Sequence, residues 1–276
     1  MKTRVVSGII AFLLLIAVVL SGQAVFAVVL FILAMIGMRE FFKAVEQTGY
    51  KTVRIMGYLA CIAVLIAGLN GTFLHIDATK VFQWLSLGIF LLVVFLLSFI
   101  IFQHEKYHVI GIALTFFGVV YVVFPFTFVT VTRALPQGLW LIWFIFIGAF
   151  ATDTSAYFAG VFFGKRKILP VVSPKKSLEG SIGGVLGCIV ITVLYGLLLN
   201  SREVIGTIPV YHLILLGLFN GVISQIGDWA ASAIKRYVKI KDYGNLMPGH
   251  GGVLDRFDSI LFTAPVVYFY FSLLVL

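Results

Sequence analysis

Nine long apolar runs, at about 5–21, 23–42, 53–70, 82–102, 109–131, 138–163, 181–199, 208–234 and 259–276, leave this chain little scope to fold in water. Most approach the ~20 residues that carry a helix across a ~30 Å hydrocarbon core. They are continuous and do not alternate with period two, which argues for helices and against a membrane β-barrel. With 61% hydrophobic and 11% charged residues, a soluble domain of 276 residues has no interior large enough to hide the apolar surface. The expected fold is therefore all-α: a polytopic integral membrane protein with about nine transmembrane helices. The opening "MKTRVVSGIIAFLLLIAVVL" has the layout of a leader. However, "AVFA" at 24–27 is a poor cleavage site and a second apolar run follows after "SGQ". It reads as a first transmembrane helix.

The formal charge of +9 is explained by orientation and calls for no nucleic-acid partner. With the N-terminus inside, seventeen of the twenty Lys and Arg fall on the cytoplasmic side, and only Lys80, Arg133 and Arg202 lie opposite. The two cysteines, Cys61 and Cys188, both sit in apolar runs, so neither a disulfide framework nor a thiolate metal site is expected. His104 and His108 are four apart but lack a third ligand nearby. No internal repeat stands out.

Scarce charges then locate the chemistry. Asp153 lies well inside the run 138–163, and Asp228 inside 208–234. Asn220, Ser224, Asp228 and Ser232 recur every fourth residue, a polar stripe along one helix face leading to Lys235 and Arg236. A carboxylate at membrane depth costs ~2.5–3.5 kcal/mol on insertion scales, so it needs a partner or a wet cavity. The cytoplasmic loop 164–180 carries Lys165, Arg166, Lys167, Lys175 and Lys176 against one acid, Glu179. Lys175, Lys176 and Ser177 precede a glycine-rich helix start, whose free amides and dipole suit phosphate. The second polar stretch, 235–258, ends in "HGGVLDRFDS". Asp255 and Asp258, three apart, share a helix face and suit a hard divalent cation whose shell is completed by waters and phosphate oxygens. Helix capping explains one such acid but not the whole cluster. Acids and cations gathered at one membrane face fit phosphoryl or nucleotidyl transfer to a membrane lipid, with metal and Lys/Arg neutralising the phosphates.

"SAIKRYVKIKDYGNLMPGHGGVLDRFDS" closely resembles the signature of the phosphatidate cytidylyltransferases. The matching positions are Ser232, Lys235, Arg236, Lys241, Asp242, Pro248, His250, Gly251, Gly252, Asp255, Arg256 and Asp258. "SPKKSLEG" resembles a second family motif, with Ser177 and Leu178 where Thr and Trp are usual. The segment around Asp153 is also similar. The resemblance is carried by 138–276, expected to hold the catalytic site; 1–137 are expected to be scaffold helices. It implies that CTP and phosphatidic acid give CDP-diacylglycerol and pyrophosphate in a bacterial inner membrane, at its cytoplasmic face. It also implies Mg²⁺ on Asp228, Asp255 and Asp258, with room for a second cation such as K⁺, and Asp153 assisting. Lys175, Lys176, Ser177, Lys235, Arg236, Lys241, His250 and Arg256 are the expected substrate-binding set. A homodimer is an open expectation. The competing classes are a CTP-dependent polyprenol or phytol kinase, an archaeal-type lipid cytidylyltransferase and a proton-coupled transporter.

Overall fold

The computed structural model describes residues 2–70, 78–246, 249 and 251–275. Each apolar run carries a helix. Among the described residues, seven helical stretches are long and apolar enough to cross a membrane: Gln23–Thr48, Gln83–Phe102, Val109–Ala134, Gly138–Phe163, Leu178–Ser201, Val210–Tyr237 and Leu254–Val275. Two shorter apolar helices, Val6–Leu20 and Arg54–Leu69, match the first and third runs. The protein is an integral membrane protein.

The chain divides into two compact units that are not simple halves: Met1–Thr130 with Val238–Asp255, and Val131–Tyr237 with Arg256–Leu276. The glycine-rich segment before the last helix thus groups with the N-terminal helices.

In the first unit, α1 (Lys2–Leu20) and α2 (Gln23–Val45) are separated by Ser21 and Gly22, the latter at φ +88°. Gln23 at the start of α2 donates its side-chain amide to the carbonyls of Gly68 and Thr130. α2 buries Phe26, Leu30, Met38, Phe41 and Phe42. α3 (Arg54–Leu69) follows, then α4 (Ala78–Phe102) and α5 (Val109–Gly118). A π-turn, Val119–Val123, joins α5 to α6 (Phe124–Ala134). Pro125 explains it: a residue without N–H, whose ring presses on the carbonyl four residues back, distorts a continuous helix there. Phe41 packs on Phe117 and Tyr121 with ring centroids 5.8 Å away in each case.

The second unit contains α7 (Gly138–Phe163), α8 (Leu178–Ser201) and α9 (Val210–Tyr237). α7 and α8 meet along small residues: a Cβ on Gly183 would stand 2.2 Å from that of Ala159, so the backbones close to a distance only glycine permits. The stretch 164–180, expected as a loop, instead forms an antiparallel hairpin. Its strands are β1 (Lys167–Leu169) and β2 (Ser173–Ser177), with Lys167 opposite Ser177. The last helix, α10 (Leu254–Tyr270), begins at the boundary between the units and runs on through a terminal π-turn.

Candidate active site

The polar stripe of α9 is real, and its two ends serve different purposes. Asn220 and Ser224 are fully buried. Asn220 donates its amide to the Phe144 carbonyl at 3.2 Å and fixes α9 against α7. Further along, Gln225 accepts from the Ser181 hydroxyl and donates to the Ser181 carbonyl at 3.1 Å, tying α9 to α8. Asp228 and Ser232 form the open end. Asp228 accepts from Lys176 of β2 through one oxygen and from Ser232 Oγ at 3.3 Å through the other. The Lys176 ammonium also stands 5.9 Å from the centre of the Trp229 ring.

Two more acids of this unit lie within electrostatic reach. Asp153 of α7 faces Asp228, Lys176 and Arg256. It is exposed, at the start of the half of α7 beyond Thr152 that carries no buried residue. Asp258 of α10 faces Asp228, Asp153 and Lys235, and one of its oxygens accepts the Ser259 N–H at 2.8 Å. Gly227 makes this approach possible: a Cβ there would lie 2.6 Å from the Asp258 carbonyl oxygen and 2.9 Å from the Phe262 ring. The backbones of α9 and α10 therefore touch one residue before Asp228. Asp153, Lys176, Asp228, Ser232, Lys235, Arg256 and Asp258 form one charged cluster in the second unit.

The other expected residues are placed differently. Lys175 is exposed on β2. The Arg236 guanidinium donates to the Val172 carbonyl at 3.4 Å and holds the hairpin against α9. Ser177 is the N-cap of α8, its hydroxyl accepting the Gly180 N–H at 3.2 Å. The Leu178 N–H already donates to the Arg166 carbonyl at 2.8 Å. Two of the first-turn amides of α8 are thus used by the chain itself and not left free for phosphate. Glu179 accepts the backbone N–H groups of Lys165 and Arg166 and so closes the hairpin's base. Ser177→Ala is expected to cost about 1 kcal/mol through the lost cap. Thermal unfolding in detergent measures this, and an unchanged midpoint would remove the capping role.

In the first unit, Lys241 is exposed and Asp255 is buried. Oδ2 of Asp255 accepts the N–H of Tyr243 at 2.7 Å and of Gly252 at 3.0 Å. Gly251, at φ +86°, turns the chain back to make this possible. His250 lies outside the described residues. Sequence reasoning missed Glu40. This acid of α2 is buried, and it accepts the N–H of Val253 at 3.0 Å and of Leu254 at 2.9 Å. An acid at the end of an apolar run, with Arg39 and Lys43 beside it, has the pattern of ordinary membrane-interface charge, which does not single it out.

Among the described residues no three His, Cys, Asp or Glu side chains are gathered tightly enough to hold an ion alone. The chemistry of the cluster is nevertheless that of hard oxygen donors. The buried Ser259 Oγ, next to Asp258, has no hydrogen-bond partner. Such a set fits a hard cation that shares its shell with substrate phosphates and water, which needs only one or two protein carboxylates.

The sequence model of the cytidylyltransferase family matches residues 2–274. The chain belongs to this family. It is similar along nearly its whole length to curated members. One is the phosphatidate cytidylyltransferase of Bacillus subtilis (strain 168), 30% identical over 274 residues, covering 99% of this chain and 98% of that one. Another is that of Staphylococcus aureus (strain COL), 32% identical over 270 residues and 97% of each chain. A third, from Staphylococcus epidermidis (strain ATCC 12228 / FDA PCI 1200), is 31% identical over 268 residues and 97% of each. Family membership covers the helices before residue 138, where the motifs alone were silent.

Proposed function

We propose that this family member transfers a cytidylyl group from CTP to phosphatidate, giving CDP-diacylglycerol and pyrophosphate. The supporting observation is a full-length family match combined with an acid cluster, borne on helices long and apolar enough to cross a membrane, that already carries its own cation, Lys176 on Asp228. A lipid phosphate monoester has a second pKa of about 6, so near neutral pH it is an adequate nucleophile without a strong base. Its oxygen attacks the α-phosphorus of CTP in line. A new P–O bond forms, the bond from the α-phosphorus to the β-phosphate oxygen breaks, and pyrophosphate leaves. Asp228 and Asp258 would hold Mg²⁺, which supplies charge neutralisation on the triphosphate. Lys176, Lys175, Lys235 and Arg256 bind phosphate oxygens, and Lys176 exchanges its carboxylate partner for one when substrate arrives. Asp153 orients these cations. Asp255 serves through the loop amides that it holds, beside Lys241. The basic residues fit an active site at the cytoplasmic face of a bacterial inner membrane.

The test uses purified protein with phosphatidate, Mg²⁺ and CTP carrying radiophosphorus at either the α or the γ position. Lipid-soluble label is expected from the α position only. Lipid label from the γ position alone would instead mark a kinase, and no lipid label from either would end the transferase reading.

A further inference from the structure

Glu40 occupies an unusual environment for an acid in an apolar helix. Its two oxygens accept from two consecutive backbone amides, Val253 and Leu254. Leu254 is the first residue of α10. A helix start normally takes its cap from its own chain, and here the residues just before it include Gly251 and Gly252, which have no side chain to offer. Glu40 supplies that cap from α2, more than two hundred residues away in sequence. The fit is close on both sides: a Cβ on Gly244 would stand 2.2 Å from Oε1, and one on Gly252 would stand 2.3 Å from it. Asp255 takes the neighbouring amides of Tyr243 and Gly252. Between them, two carboxylates engage the amides of 243, 252, 253 and 254.

We propose that Glu40 is a positioning residue for the reaction, fixing the residue at which α10 begins and therefore the helical phase of its acids Asp255 and Asp258. A negative group here also faces the positive end of the α10 dipole. Both oxygens act as acceptors, so a glutamine of the same shape would turn an N–H donor toward a backbone donor. At Gly244 and Gly252 the carboxylate fills the space where a side chain would lie, so a larger residue there has to displace it. The kinetic part of this proposal rests on the cytidylyl-transfer reading; the structural part does not.

The experiment compares full-length wild type, Glu40→Gln, Glu40→Ala, Gly252→Ala and the Glu40→Ala/Gly252→Ala double variant in detergent. Hydrogen exchange of a peptide spanning 251–256 is read alongside transfer of α-labelled CTP to phosphatidate. Glu40→Gln is expected to speed exchange there by about 10- to 100-fold, the loss of a charge-assisted hydrogen bond, while exchange across α8 stays at the wild-type rate. Turnover falls by a similar factor, with KM for CTP within about twofold, since Glu40 acts on the helix start and not on the nucleotide. Gly252→Ala alone is equally damaging, but adds less than about threefold in the Glu40→Ala background, where its clash partner is gone. Wild-type exchange in Glu40→Gln, or the same Gly252→Ala penalty in both backgrounds, would overturn the assignment. If wild-type protein transfers no label while the exchange coupling persists, the cytidylyl-transfer reading fails and the Glu40 assignment stands.

Discussion

Asp228→Asn and Asp258→Asn are each expected to cut cytidylyl transfer by on the order of 10²–10³-fold or more, the usual cost of removing a charged contributor to a preorganised site. Expression and elution in detergent should stay close to wild type. The reasoning is local. Asp228 takes its Lys176 partner through one oxygen and Ser232 through the other. Asparagine preserves that shape but removes the charge that a cation, either Lys176 or a metal, answers. Asp258 is half-buried near Asp228 and Lys235, and its amide analogue would likewise keep the packing and lose the field. Initial rates at saturating CTP and phosphatidate read the effect. Activity within a few-fold of wild type in both variants would remove the cluster from the mechanism.

Gly227→Val is expected to be nearly as damaging, by a different route. The added side chain meets the Asp258 carbonyl oxygen and the Phe262 ring, neither of which is the loose end of a flexible chain. α9 and α10 must part, and overpacking of this kind costs about 1–3 kcal/mol. Asp228 and Asp258 then shift relative to each other. A misplacement of about 1 Å can cost ~10²-fold in rate. Gly227→Ala should show a smaller loss of the same kind, and both variants should unfold at lower temperature than wild type. Full activity in Gly227→Val would mean that the close contact is irrelevant to the site.

The membrane helices were legible in the sequence because apolar runs of the right length have one dominant physical solution. Asp153 and Asp228 stood out for the converse reason, since an acid in such surroundings demands a partner, whereas Asp258 stood out through its spacing from Asp255 and the motif around it. The hairpin at 167–177 was hidden by its cations and by Pro170 and Pro174, which leave no clear alternation. The spacing of Asp255 and Asp258 does not reveal the loop before them: Gly251, at positive φ, turns the chain so that the Gly252 amide meets Asp255, which also accepts the amide of Tyr243. Glu40 could not be read from its neighbours, because the amides that it caps lie at the far end of the chain. Interactions between remote backbone groups leave no periodic trace.

Mn²⁺ titration followed by electron paramagnetic resonance, with Mn²⁺ standing in for Mg²⁺ and CTP present without lipid, reads ion binding at Asp228 and Asp258 without turnover. Saturable ion binding by the wild type, above that of CTP alone and lost in both Asp228→Asn and Asp258→Asn, is the predicted result. Wild-type binding retained in both variants would contradict it.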